Sequence, residues 1–231
     1  MLTLSVDTST SDGSIALVSG SEILCERSVA GISAHATWLS PAIDAVIKEN
    51  NLTIGDIGLF AVSRGPGSFT GLRIGVSTVN ALAWALKKNV IGISSLLALA
   101  MNMKAHGKTL CTVLDAGKNE VYAALYSFSG GTVSQVMGEC AVTPAELVRR
   151  IEGLGIKGEV LFLGRGIERH AGFFRDGLEN AVMAEESLWG IRASNVAYLA
   201  QEAFRLKGAD SPYGLTPLYI RKSEAELRAG L

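Results

Sequence analysis

Residues 58–88 begin Gly58-Leu59-Phe60-Ala61-Val62-Ser63-Arg64, turn through Gly65-Pro66-Gly67-Ser68-Phe69-Thr70-Gly71, and continue as Leu72-Arg73-Ile74-Gly75-Val76 to Lys88. An apolar run enters a glycine-rich turn, and a segment with helical spacing leaves it. A strand, a tight glycine turn and a helix N-terminus can present free backbone N–H groups to an anion. Two phosphate signatures fail here. A P-loop needs a lysine after its second glycine, and Leu72 follows Gly71. A dinucleotide turn needs Gly-x-Gly-x-x-Gly, and Thr70 takes the third glycine position. Glycine also serves where one backbone must approach another closely, and the residues favour that packing role.

Working outward, the chain has 231 residues, which suits one large domain or two lobes of about 100 residues each. A hydrophobic fraction of 48% and a charged fraction of 19% describe a globular chain with a substantial core. The net charge is −1 and no basic run stands out, which argues against an isolated nucleic-acid binder. Cys25, Cys111 and Cys140 are far apart and odd in number, so they support neither a disulfide framework nor a cysteine zinc site. The N-terminus lacks a basic region and turns polar at Ser5, unlike a signal peptide, and the apolar windows are too short or interrupted to span a bilayer. A cytoplasmic protein without membrane association is expected.

Taken in order, 2–6 reads as a strand closing on Asp7, and 14–19 and 22–29 as two more strands joined by Gly20-Ser21. A helix is expected over 33–50, with Trp38, Leu39, Ala42, Ile43, Val46 and Ile47 at helical spacing. Pro41 either kinks it or begins it behind a Ser40 cap. Strand 58–64, helix 70–88, strand 90–94 and a short helix 95–103 follow. The pattern then restarts: strand 109–114 closing on Asp115, strands 120–127 and 132–140, and a helix 144–153 capped by Thr143 with Glu146 at the capping-box position. Strand 160–163 and the turn Gly164-Arg165-Gly166 come next. After an unassigned stretch, 194–207 reads as the second half's last helix. The boundaries drawn are 1–104 and 105–213 for two lobes, with 214–231 as a tail packing back on one of them.

Three strands, helix, strand, helix, repeated with an Asp closing each first strand, resembles the actin, Hsp70 and sugar-kinase superfold (ASKHA, ribonuclease H-like). This is an α/β class with a mixed sheet and flanking helices in each lobe. Within it, Asp7-Thr8-Ser9-Thr10, His35 leading to Leu39 and Pro41, the block from Gly65 to Gly75, Asp115 with Glu120-Val121-Tyr122, and Pro217-Leu218-Tyr219-Ile220-Arg221 resemble the TsaB (YeaZ) family. The resemblance spans nearly the whole chain. It implies a part in making N6-threonylcarbamoyladenosine (t6A) in tRNA, as the non-catalytic partner of TsaD, which transfers the threonylcarbamoyl group. TsaE, an ATPase, acts with the pair. The resemblance also implies homodimers of the chain alone, contact with tRNA only indirectly, and no tightly bound cofactor.

The residues bear on whether the chain could react by itself. TsaD places a His-x-x-x-His metal pair after its glycine turn, helix and strand, and by that register Ser95 and Leu99 stand here. Leucine cannot ligate a metal and serine is a poor substitute for imidazole. The histidines, His35, His106 and His170, form no i, i+4 pair. In the superfold the two Asp loops contact metal-bound phosphates and a Gly-Gly turn holds the adenosine; Arg165 interrupts that turn here. Asp7 and Asp115 read either as cleft carboxylates or as turn caps. The candidate cleft set is Asp7, Gly65, Gly67, Ser68, Thr70, Gly71 and Asp115, with no catalytic and no metal residue.

What remains is surface. The expected docking face lies on helices 33–50 and 70–88, with His35, Leu39, Ile43, Val46, Leu72, Gly75, Val76 and Val79 as candidates, burying on the order of 1,600 Å² against TsaD. Val76→Glu is expected to weaken it by desolvating a charge. The competing readings are an ATP-dependent kinase or ATPase of the same superfold, and a metallopeptidase.

Overall fold

In the computed structural model, residues 1–31, 35–104 and 107–221 are described. Side-chain alternation in the first strand, β1 (Leu2–Asp7), sets the layers of the first half. Leu4 and Val6 point into an apolar cluster, and Thr3 and Ser5 point the other way. β1 pairs antiparallel with β2 (Gly13–Ser19), which pairs antiparallel with β3 (Glu22–Val29). On its other side β1 pairs parallel with β4 (Leu59–Gly65), and β4 with β5 (Asn89–Ser94). The order is β3-β2-β1-β4-β5. Parallel neighbours require a crossover, and two helices supply it: α1 (His35–Glu49) and α2 (Phe69–Leu86). α1 runs unbroken through Pro41, which decides against a helix beginning there. A short helix, α3 (Ser95–Ala100), follows β5.

The second half repeats the plan. β6 (Thr109–Gly117), β7 (Glu120–Ser129) and β8 (Thr132–Val142) are antiparallel; α4 (Pro144–Gly153) leads to β9 (Val160–Leu163), parallel to β6. α5 (Ala171–Gly177) then leads to β10 (Ala181–Met183), parallel to β9. The order β8-β7-β6-β9-β10 matches the first sheet strand for strand. Thr143 caps α4 by accepting from the Glu146 amide at 3.3 Å, while the Glu146 carboxylate pairs with Arg149 and Arg150. α4 and α5 cover one sheet face, where the rings of Phe162 and Phe174 stack at 4.8 Å. The 18-residue α2 thus has a 7-residue counterpart in α5.

The last helix, α6 (Ala193–Lys207), corrects the sequence reading. The order of elements along the chain places it in the second lobe, but it packs on the first sheet, where Ala193 and Ala197 meet Ala16 and Val18. The Ser5 hydroxyl donates to the Ala193 carbonyl at 2.6 Å and the Ser14 hydroxyl to the Ile191 carbonyl at 2.8 Å. Small residues let the helix lie close, and their hydroxyls bond its first turn. The compact units are therefore 1–98 with 191–218, and 99–190 with the described residues from Tyr219 on. This differs from the expected boundaries at 104 and 213. The tail after α6 returns to the first unit: Leu215 is buried in its core and the Leu218 amide donates to the Arg64 carbonyl at 2.6 Å. Ser33, His106, Lys222 and residues 223–231, which figured in the sequence reading, lie outside the described residues. Among those described, no helix is long and apolar enough to cross a membrane.

Candidate functional site

The glycine turn closes onto the loop that leaves β1. A Cβ on Gly71 would sit 2.0 Å from the Thr8 carbonyl oxygen, and one on Gly67 2.1 Å from that of Ser9. One on Gly65, where φ is +124°, would sit 2.5 Å from the Leu218 carbonyl oxygen. The Gly65–Pro66 peptide is cis. Hydrogen bonds fasten the same contact. The Ser68 amide donates to the Ser9 carbonyl at 2.7 Å and the Thr8 hydroxyl to the Gly71 carbonyl at 2.8 Å. Ser68 Oγ caps α2 by accepting from the Gly71 amide at 3.2 Å. These glycines thus admit the chain's own backbone where an anion loop would admit phosphate oxygens. Thr70, next to them, points to solvent.

Asp7 lies behind this contact, with 1% of its surface exposed. Burial raises its pKa to about 6; hydrogen bonds from Ser9, the neighbouring Ser63 and the charge of His35 act in the opposite direction. Asp7 Oδ1 accepts from Ser9 Oγ at 2.7 Å and from the Ser9 amide at 3.4 Å. Ser63 is fully buried; its hydroxyl lowers the Asp7 pKa from close by without making a hydrogen bond of good geometry. His35, at the start of α1, donates from Nε2 to the Thr10 carbonyl at 2.8 Å, leaving Nδ1 buried without a partner. His35 therefore ties α1 to the Asp7 loop. The candidate cleft set omitted Thr8, which the sequence offers only as part of the Asp7–Thr10 motif, and Ser63; the signal for Ser63 is its place one residue beyond the Val6–Val62 parallel pair.

Asp115, which closes the equivalent strand of the second unit, is exposed. Its Oδ1 accepts from the Gly117 amide at 2.8 Å, the turn-capping arrangement. Arg221 braces that turn by donating to the Ala116 carbonyl at 2.8 Å and pairing with Glu120 at 3.2 Å. The turn after β9 repeats the close approach of the first unit: a Cβ on Gly164 would lie 2.3 Å from the Val113 carbonyl oxygen, and one on Gly166 2.7 Å from the Leu114 carbonyl carbon. Arg165 between them reaches Glu186 at 3.7 Å. The structure thus brings Asp7, Gly65, Gly67, Ser68 and Gly71 together in one unit, with Asp115 in the other.

The docking candidates require a correction. His35, Leu39, Ile43, Val46, Leu72, Gly75, Val76 and Val79 are all buried within the first unit, none more than 8% exposed among those with a stated value. The apolar stripes cover the chain's own sheet, so apart from Ile43, whose edge lines a groove between the helices, they are not available to a partner, and Val76→Glu would disrupt folding. The opposite faces are informative. On α2, Ser77, Ala81 and Ala85 are exposed and Ile74, Thr78 and Leu82 half-buried. On α1, Pro41 is exposed, and Trp38, Ala42 and Ala45 half-buried. Arg73 is the only charged residue in the whole of α2. A groove of about 360 Å³ between the helices is lined by Ser40, Ile43, Ile47, Thr78 and Leu82, among others.

At the register of the TsaD histidines, Ser95 and Leu99 are both buried, and the Ser95 hydroxyl lacks a hydrogen-bond partner. Among the described residues no three His, Cys, Asp or Glu side chains come together as metal ligands.

Residues 25–227 match the family model described as "TsaD: tRNA N6-adenosine threonylcarbamoyltransferase". The chain is 30% identical to the tRNA threonylcarbamoyladenosine biosynthesis protein TsaB of Bacillus subtilis, over 99% of its own length and 97% of the relative's. It is 26% identical to the TsaB of Haemophilus influenzae, over 94% and 92%. Among solved structures, YeaZ from Pseudomonas aeruginosa superposes with a TM-score of 0.80 at 25% identity, covering 94% of this chain and 99% of that one. The component A of (R)-2-hydroxyglutaryl-CoA dehydratase from Acidaminococcus fermentans, at TM-score 0.50 and 15% identity, shares the fold.

Proposed function

The chain belongs to the TsaB (YeaZ) family of tRNA threonylcarbamoyladenosine biosynthesis proteins, and from that premise we propose that it serves t6A synthesis as a non-catalytic subunit docking TsaD through the outward faces of α1 and α2. The observation that carries this is the chemistry of α2. A surface helix ordinarily turns charged residues to water, whereas α2 turns Ser77, Ala81 and Ala85 outward and has Arg73 as its sole charge. Small residues along such a face let a second helix approach closely, and a matching pair on TsaD would give a four-helix contact. The same face would pair two copies when TsaD is absent, and TsaE would join the assembled pair. No cofactor is held tightly. The burial of Asp7 beneath the Thr8–Ser9 loop leaves this unit no open carboxylate at the end of its first strand, which supports a partner without chemistry of its own. A cytoplasmic location fits this role.

Ala81→Glu and Ser77→Arg test the reading, since both positions are exposed and should leave thermal unfolding unchanged. Each should lower recovery of TsaD in a pull-down about tenfold or more, through desolvation of the added charge. Reconstituted t6A synthesis should require the chain and fail with either variant. Undiminished recovery with both variants, or Mg-ATP turnover by the chain alone, would overturn the proposal.

A further inference from the structure

α2 has a second accessible flank, turned away from α1. Thr78 and Leu82 line the groove beside α1, whereas Asn80 and Trp84 face the tail: Asn80 Nδ2 donates to the Leu215 carbonyl at 2.9 Å, and Trp84 Nε1 donates to the Tyr213 hydroxyl. Trp84 is 59% exposed and Tyr213 81% exposed. Large aromatic rings raised into solvent and held against each other bury little apolar area, so packing of the chain itself does not account for them. They line a cleft of about 650 Å³ with Ala85, Lys87, Lys88 and Pro212, and no acidic residue lines it. Towards the other end of α2 the Arg73 guanidinium lies 4.0 Å from the centre of the Phe69 ring. Between Asp56 and Asp115 the chain has no Asp or Glu, but it has Arg64, Arg73, Lys87, Lys88, Lys104 and Lys108. Asp56 feels the charge of Lys88 but takes its hydrogen bonds from Thr53, and Asp210, on the tail before Pro212, accepts from the Gly92 amide at 2.9 Å. Of the cations, Lys87 and Lys88 line the cleft and Arg73 lies on α2, so the flank joins three of them to the exposed rings of Trp84 and Tyr213.

We infer that this tail-side flank binds single-stranded RNA, with Trp84 and Tyr213 stacking on unpaired bases and Lys87, Lys88 and Arg73 meeting phosphates. Rings offer every base a π-face and cations follow the backbone, which is the chemistry of sequence-tolerant single-strand binding. Lys87 and Lys88 also complement the negative end of α2, but that role leaves the exposed rings unexplained. The inference goes beyond the docking role: Trp84 and Tyr213 lie off the groove between α1 and α2, only Ala85 is common to the docking face and the cleft, and the chain alone should display the binding.

The test is fluorescence anisotropy with a short labelled single-stranded RNA and an unmodified tRNA transcript, at several salt concentrations. The full chain should bind both. Trp84→Ala and Tyr213→Ala should each weaken binding about tenfold, with Trp84→Phe restoring most of it. The double variant K87Q/K88Q should reduce the slope of log affinity against log salt by about one. All four should unfold at the wild-type temperature and recover TsaD as wild type does, so loss of RNA binding and loss of docking are separately visible. Binding by the wild type weaker than about 100 μM at low salt, equal affinity of wild type and the Ala variants, or tighter binding of a poly-glutamate peptide than of RNA would each overturn the inference, the last by assigning the flank to an acidic protein.

Discussion

The two units share a strand order and differ in what they do with the aspartate at the end of the first strand. In the first unit Asp7 is sealed under a loop clasped by Gly67 and Gly71; in the second, Asp115 stands in water and caps its own turn. Both units bring a glycine turn, after the fourth strand, against backbone at the end of the first strand. The shared feature is thus the close approach of two backbones, and the variable one is the depth at which the carboxylate ends up. Topology was kept while the chemistry of the two ends diverged.

The largest expected effect tests what is shared. Gly71→Ala and Gly164→Ala should each cost about 3 kcal/mol or more in urea unfolding, because neither the Thr8 nor the Val113 carbonyl can recede cheaply. A marked inequality between the two would show that only one turn depends on close approach.

The next tests the difference. The Asp7 pKa is about 6 in the folded chain against an unfolded value near 3.8. The folded state therefore holds the proton more tightly, and its stability falls as pH rises from about 4 to about 6, by roughly 3 kcal/mol. Asp7→Asn removes that dependence. The stability of the variant relative to wild type should rise by about that amount between pH 4 and pH 7, measured by denaturant titration at each pH. A constant difference would mean that Asp7 is ionised in a wetter site. Asp115→Ala, by contrast, should cost less than about 1 kcal/mol at neutral pH, since it removes one exposed turn-capping bond. Smallest of all, Gly172→Ala should be neutral or stabilise by about 0.5 kcal/mol, because no atom lies near its added methyl and it sits in α5.

Strands were legible in the sequence where alternation and bounding turns coincide, as at Glu22–Val29 and Val160–Leu163, whose limits agree with expectation to the residue. α5 and β10 escaped because seven and three residues carry too little periodicity to register. α6 was found, but its apolar side names no sheet; only the buried Thr3, Ser5 and Ser14 opposite it disclose where it lies. The docking candidates failed for a related reason. An apolar stripe on a helix marks the side turned to its own core, whereas the face proposed for a partner is marked by missing charge, visible at Ser77, Ala81 and Ala85 only once the inward face is known. The cations of the tail-side flank make only the short pair Lys87-Lys88 in the chain; Arg73 stands 14 residues earlier and joins the side of Trp84 only after the helix winds.

Because the first unit takes residues 191–218 from the far end of the polypeptide, its opening strands wait longest for completion during synthesis. Ribosomes release sequence from the N-terminus, so β1 and β2 must persist with one side uncovered until α6 emerges, after almost all of the second unit has already been made. A stop codon shortly before residue 191 would thus damage the part of the first unit translated before the second, and a nascent chain stalled there should engage chaperones through residues 2–19.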